Sequence, residues 1–87
     1  MEYKTRDFYF ASVLKACKIP LLRFDLSDNK KFYFFVFDDV ETKAQQILDL
    51  VVNRSLVINA ADHIDAVKEL KKQLYIEKKS LEPTTHV

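Results

Sequence analysis

The side chains of this 87-residue chain best suited to proton transfer, metal binding or nucleophilic attack are two histidines, one cysteine and the adjacent Asp38–Asp39 pair. His63 has Asp62 and Asp65 close by in sequence. On a helix, however, residues one and two apart point in different directions. No histidine follows at i+4, and no second cysteine exists to build a thiolate metal site. Cys17 and His63 have the right types for a nucleophile–base pair, but no motif spacing links them. Cys17 falls among helical apolar positions and reads as a small buried hydrophobe. Asp38–Asp39 directly precedes a helical pattern, where a capping aspartate contributes about 1 kcal/mol; capping is therefore its expected role. The expectation is a non-enzymatic protein with no cofactor and no metal.

A second kind of chemistry resides in Phe32-Tyr33-Phe34-Phe35-Val36-Phe37, six consecutive bulky residues flanked by Lys30-Lys31 and Asp38-Asp39. The run must be a strand, with Phe32, Phe34 and Val36 on one face and Tyr33, Phe35 and Phe37 on the other. It is either a core strand covered on both faces or an aromatic platform able to stack on a ligand. As a platform, Phe32 and Phe34 are the stacking residues, and Arg23, Lys30 and Lys31 supply adjacent positive charge for nucleic acid.

The elements that must position these groups follow from periodicity and punctuation. Thr5 or Asp7 caps a first helix over residues 8–18, with Phe8, Ala11, Leu14 and Cys17 along one side. Pro20 forbids its continuation. Leu22, Phe24 and Leu26 alternate with Arg23 and Asp25 as a half-buried strand. Ser27-Asp28-Asn29-Lys30 is a turn, with Asp28–Asn29 the candidate for positive φ, and the aromatic strand completes a hairpin. A second helix spans residues 40–52, with Ala44, Ile47, Leu48 and Val51 as its stripe. Leu56-Val57-Ile58 reads as a short third strand. Asn59 caps a last helix over residues 60–78, with Ala60, Ile64, Val67, Leu70 and Leu74 inward and Asp62, Asp65, Glu69 and Lys72 toward water. The predicted fold is a small α+β domain of order α-β-β-α-β-α, with residues 1–79 folded and residues 80–87 a flexible tail. Three helices suffice to cover both faces of such a sheet, so complete burial of Phe32–Phe37 is the expectation.

Composition sets the limits. The chain is 48% hydrophobic and 31% charged, a globular rather than disordered balance. No apolar run approaches the roughly 20 residues needed to span a bilayer, and the opening residues contain no apolar export signal. One cysteine suits a reducing cytoplasm. The net charge of +1 exerts no global pull on nucleic acid or anionic lipid. Basic residues outnumber acidic ones seven to four over residues 1–31, whereas residues 32–66 hold two basic and six acidic groups. Glycine is absent. Since a phosphate-cradling loop needs glycine for close backbone approach, neither the dinucleotide fingerprint nor the P-loop is present.

Two resemblances add to this. Lys30 to Phe37, followed by an acidic cap, an Ala44-containing helix and Asn53 to Ile58, resembles the second half of an RNA-recognition motif. Lys30, Phe32, Phe34 and Phe37 match that family's basic-Gly-aromatic-small-aromatic-Val-x-aromatic signature, whereas Lys31 and Tyr33 replace its small residues and Phe35 its valine. The resemblance implies base stacking on Phe32 and Phe34. On this reading too few residues precede the first helix for that family's first strand. The opening Tyr3-Lys4-Thr5-Arg6-Asp7-Phe8-Tyr9, the Phe34-x-Val36-Phe37-Asp38 strand and the Val57–Ala60 and Leu70–Leu74 segments are similar to a family of small uncharacterised proteins of bacteria and their phages. That family carries no established activity and implies only such a setting and a compact domain. Two binding roles follow as expectations: nucleic-acid binding through the hairpin, or a protein-interaction or assembly module, for example a homodimer.

Overall fold

The computed structural model describes residues 1–81. Among them run β1 (Glu2–Thr5), α1 (Phe8–Ala16), β2 (Leu21–Leu26), β3 (Tyr33–Asp38), α2 (Ala44–Val52) and α3 (Ala60–Leu81). The α+β class and the β2–β3 hairpin agree with the sequence reading, but the order is β-α-β-β-α-α. The third strand comes from the opposite end of the chain. Residues 56–58 form no strand, and Val57 is 91% exposed while Leu56 packs against the core. Three apolar residues held between two helix ends have no length in which to build a ladder. Four residues at the amino terminus do, because they lie along an existing strand. The tail expected from residue 80 lies, from residue 82 onward, outside the described residues. No helix among the described residues is long and apolar enough to cross a membrane.

The sheet has the order β1-β3-β2 with both pairings antiparallel. β1 and β2 therefore run parallel to each other on either side of β3, a split β-α-β arrangement. The register sets the faces. Tyr3 opposes Phe37 and Thr5 opposes Phe35, while Phe24 opposes Phe35 and Leu26 opposes Tyr33. On the other face Glu2 opposes Asp38, Lys4 and Arg23 flank Val36, and Asp25 opposes Phe34. A bulge at Leu22 interrupts the β2 ladder.

The core lies on the Phe35–Phe37 face. Phe10, Ala11 and Leu14 of α1, Ala44 and Ile47 of α2, and Leu70 of α3 pack against Phe35 and Phe37. Phe35 meets Phe24 and Phe8 edge-to-face at centroid separations of 5.3 and 6.1 Å. The expectation of helices on both faces is overturned, because α1, α2 and α3 share one core cluster on one side. The inward face of α3 holds in part: Leu70 is buried and Leu74 packs against the core as expected, whereas Ala60 and Ile64 are exposed and Ala66 is buried instead. His63 Nε2 lies 3.0 Å from the buried Ser12 hydroxyl and ties α3 to α1 at this turn.

The helix ends explain how a chain without glycine turns. Asp7 caps α1, its Oδ1 accepting from the Tyr9 and Phe10 amides at 2.9 and 3.1 Å. Past α1, Lys18 adopts φ 70°; its amide donates to the Lys15 carbonyl and the Ile19 amide to the Leu14 carbonyl. This is a Schellman motif, with Ile19 and Leu14 closing its apolar contact. Arg54, at φ 61°, repeats it after α2 through Arg54 to Val51 and Ser55 to Leu50. Asp39 is buried and accepts from the amides of Lys43 and Ala44 at the entrance to α2, which begins at residue 44 rather than 40. Asn59 caps α3 through the Asp62 amide at 3.0 Å.

Candidate functional site

The sheet face away from the helices carries Phe32, Phe34 and Val36, and its chemistry is set by β1. Alternation along β1 places Glu2 and Lys4 on this face, and Arg6 follows just beyond it. The Arg6 guanidinium carbon sits 3.9 Å from the Phe32 ring centroid, and Lys4 Nζ lies 5.7 Å from that of Phe34. The two rings meet edge-to-face at 5.2 Å. Both are half-buried, not enclosed as the expectation of complete burial required. Beside them a groove of about 690 Å³ is bounded by Lys4, Phe32 and Phe34 and, across β2 and its turn, by Asp25, Leu26 and Asn29.

The turn holding Lys30 and Lys31 is built by Ser27. Its hydroxyl donates to Asn29 Oδ1 at 2.7 Å and accepts from the Lys31 and Phe32 amides at 3.1 and 3.3 Å. Lys30, not Asp28 or Asn29, takes the positive φ of 61°. Both lysines are exposed and lead directly into Phe32.

Arg23 is differently placed from the sequence expectation of a free cation. Its Nη1 and Nη2 donate to the two Glu2 carboxylate oxygens at 2.9 Å, and its Nε donates to Asp25 at 2.9 Å. Lys4 pairs with the other Asp25 oxygen at 3.1 Å. Since Glu2 and Arg23 stand on strands flanking β3, their bidentate pair passes over Val36, and Val36 is fully buried without a helix above it. Hydrogen bonds from Arg23 hold the Glu2 and Asp25 carboxyls below their ordinary values, and the same bonds raise the Arg23 guanidinium. The face thus has two halves: an ionic cover over Val36 in which Arg23 and Lys4 balance Glu2 and Asp25, and an aromatic pair topped by Arg6, with Lys4 shared between the two.

The structure brings Phe32 and Phe34 together, sets Lys30 and Lys31 at their turn, and ties Arg23 to carboxylates. Sequence reasoning missed Lys4 and Arg6, although the alternation of Glu2, Lys4 and Arg6 with Tyr3 and Thr5 carries that signal. Cys17 and His63 lie apart from this face, against the helical side. Burial pushes the Cys17 thiol up, away from the thiolate. Ser12 donates its single hydroxyl proton to the Tyr9 carbonyl at 2.7 Å, so His63 donates to Ser12 rather than accepting from it. That is the arrangement of a clasp between α1 and α3, not of a base activating a nucleophile. Among the described residues no group of three His, Cys, Asp or Glu side chains converges as a metal site would require.

A family model described as a domain of unknown function, DUF5659, matches residues 1–76, and the chain belongs to that family. The match begins before β1 and extends into α3, so the open face and the core beneath it both lie within the family domain. No curated protein matches the chain, and no solved structure does.

Proposed function

We propose that this is a non-enzymatic cytoplasmic binding protein, of bacterial or phage origin, whose open sheet face takes single-stranded nucleic acid. The observation that carries the reading is the Phe32–Phe34 pair on a helix-free face with Arg6 and Lys4 over its rings. Bases stack on aromatic faces regardless of sequence, and neighbouring cations engage the backbone. Arg6 already occupies the Phe32 face, so an incoming base either displaces the guanidinium or is sandwiched by it, and a released Arg6 is free for phosphate. Lys30 and Lys31 extend the positive track from the end of the Phe32 strand, while the Glu2–Arg23–Asp25 cover bounds it on the other side.

The arrangement also supports the partial resemblance to an RNA-recognition motif. That family places aromatics of a central strand on a sheet face used for stacking. Here β3 is central and aromatic, and β1 exists after all. It carries Lys4, with Arg6 just beyond its end, where the family has its second aromatic set. The expected ligand contact is therefore more electrostatic and less base-specific.

The test is a titration of fluorescently labelled oligo-dT and oligo-U at two salt concentrations. Binding that weakens steeply with salt, and is lost in a Phe32→Ala/Phe34→Ala variant that still melts cooperatively, supports the proposal. Absence of binding by the folded wild type at about 50 µM would sink it.

A further inference from the structure

Among the described residues the outer edge of β2 is unpaired, and it is its own complement. The Ser27 amide donates to the Phe32 carbonyl at 2.9 Å, which fixes the phase of the hairpin ladder. Hydrogen-bonded and non-hydrogen-bonded pairs alternate along an antiparallel ladder. With Ser27–Phe32 a bonded pair, Asp25–Phe34 and Arg23–Val36 are also bonded pairs in this register. The main-chain N–H and C=O groups of Phe24 and Leu26 therefore point away from β3, to the open edge. Leu22 and Leu26 are 47% and 37% exposed along it. The edge opens on a groove of about 390 Å³ whose far side is Gln73 and Glu77 of α3. There Gln73 Oε1 is buried without a hydrogen-bond donor among the described residues.

Residues 22–26 read Leu-Arg-Phe-Asp-Leu. If a second β2 lies antiparallel to the first with Phe24 opposite Phe24, the outward groups of the two Phe24 residues bond each other. Arg23 then faces Asp25 of the second copy twice, and Leu22 faces Leu26. These charge pairs fall at non-hydrogen-bonded positions, where opposing side chains come closest. A slip of two residues sets Arg23 against Arg23 or Asp25 against Asp25. A slip of one sets outward groups against groups already bonded to β3. One register satisfies both the hydrogen bonds and the charges.

We propose that the chain forms a homodimer by pairing of its β2 edges, giving a continuous six-stranded antiparallel sheet. The other edge, β1, is four residues long and carries Glu2 and Lys4, the kind of charged short strand that resists pairing. β2 carries no lysine, and its bulge at Leu22 limits the ladder to a few residues, so the association is weak and concentration-dependent.

Sedimentation equilibrium from about 10 µM to 1 mM tests this. A monomer–dimer equilibrium is expected. Leu26→Pro removes an amide that points outward, leaves the β3 ladder intact, and should weaken the dimer at least about tenfold without preventing cooperative melting. The register is read by charge exchange. Asp25→Lys alone and Arg23→Glu alone each oppose like charges and should be monomeric, whereas their mixture restores both pairs and should associate. A wild type that stays monomeric to about 1 mM, or a mixture that fails to associate, overturns the proposal.

Discussion

The guanidinium carbon of Arg6 lies 3.9 Å from the centre of the Phe32 ring, closing one face of the aromatic pair from beyond the end of β1. Such a contact contributes about 0.5–1 kcal/mol at an exposed site. Its functional weight is larger if the same arginine turns to phosphate when a base takes its place. Arg6→Ala should then change stability only slightly, weaken oligonucleotide binding, and reduce the slope of log affinity against log salt by about one. An unchanged slope would remove Arg6 from the proposed contact.

Phe34 and Phe35 are neighbours in sequence and belong to different layers. Phe35 is buried against Phe8 and Phe24, whereas Phe34 is half-buried against Phe32. Phe35→Ala opens a core cavity and should cost about 3–5 kcal/mol in unfolding free energy. Phe34→Ala should cost far less and instead reduce oligonucleotide binding by about 1–3 kcal/mol per stacked base. Chemical denaturation and the binding titration, run on both variants, separate the layers. A Phe34→Ala variant as unstable as Phe35→Ala would contradict the assignment of faces.

Lys18 and Arg54 hold left-handed backbone at the ends of α1 and α2, with φ of 70° and 61°. A side chain in that conformation costs roughly 1–2 kcal/mol, partly offset because glycine loses about 0.5–1 kcal/mol more entropy on folding. Lys18→Gly or Arg54→Gly should therefore stabilise the protein by about 0.5–1 kcal/mol each, raising Tm by about 2–8 °C. Lys18→Val, β-branched at the same φ, should lower it. Calorimetry on the three variants checks the order.

How much of this was legible in the sequence depends on whether the signal was local. The hairpin, the Asp7 and Asn59 caps and the alternation of Phe32–Phe37 are local, and the structure keeps them. β1 was not legible as a strand because Glu2–Thr5 is stabilised by a partner 30 to 36 residues away, and its period-two pattern is too short to stand alone. Without β1, neither the position of Lys4 and Arg6 nor the cover over Val36 could be anticipated. The side of the sheet that the helices choose is likewise a tertiary matter. Nothing in the sequence pairs His63 with Ser12 of α1, and that contact accompanies the burial of Ala66 and the exposure of Ile64, which apolar spacing alone places inward. The positive-φ positions misled for another reason: in the hairpin turn Asn29 Oδ1 accepts from the Ser27 hydroxyl and the Lys31 amide and Lys30 takes the left-handed backbone, while at Lys18 and Arg54 Schellman geometry sets the position by helix length.

The Glu2–Arg23–Asp25 cover makes stability depend on pH in a predictable sense. Hydrogen bonds from Arg23 hold both carboxyls below their ordinary values of 4.5 for Glu2 and 3.8 for Asp25. The folded state thus binds protons less readily than the unfolded chain at these two sites. Their contribution is fully present above the ordinary values and is lost as pH falls through the depressed ones. Urea midpoints should therefore decline for the wild type as pH drops below about 4.5, beyond the decline of an Arg23→Met variant, which lacks the partner that depresses both groups. The methionine keeps apolar cover over Val36, so the two proteins should be closest in stability at the acid end of the series. Parallel pH curves for wild type and variant would show that the ionic cover contributes nothing to folding. High salt should narrow the gap between them above the carboxyl range, because pairs this exposed are screened.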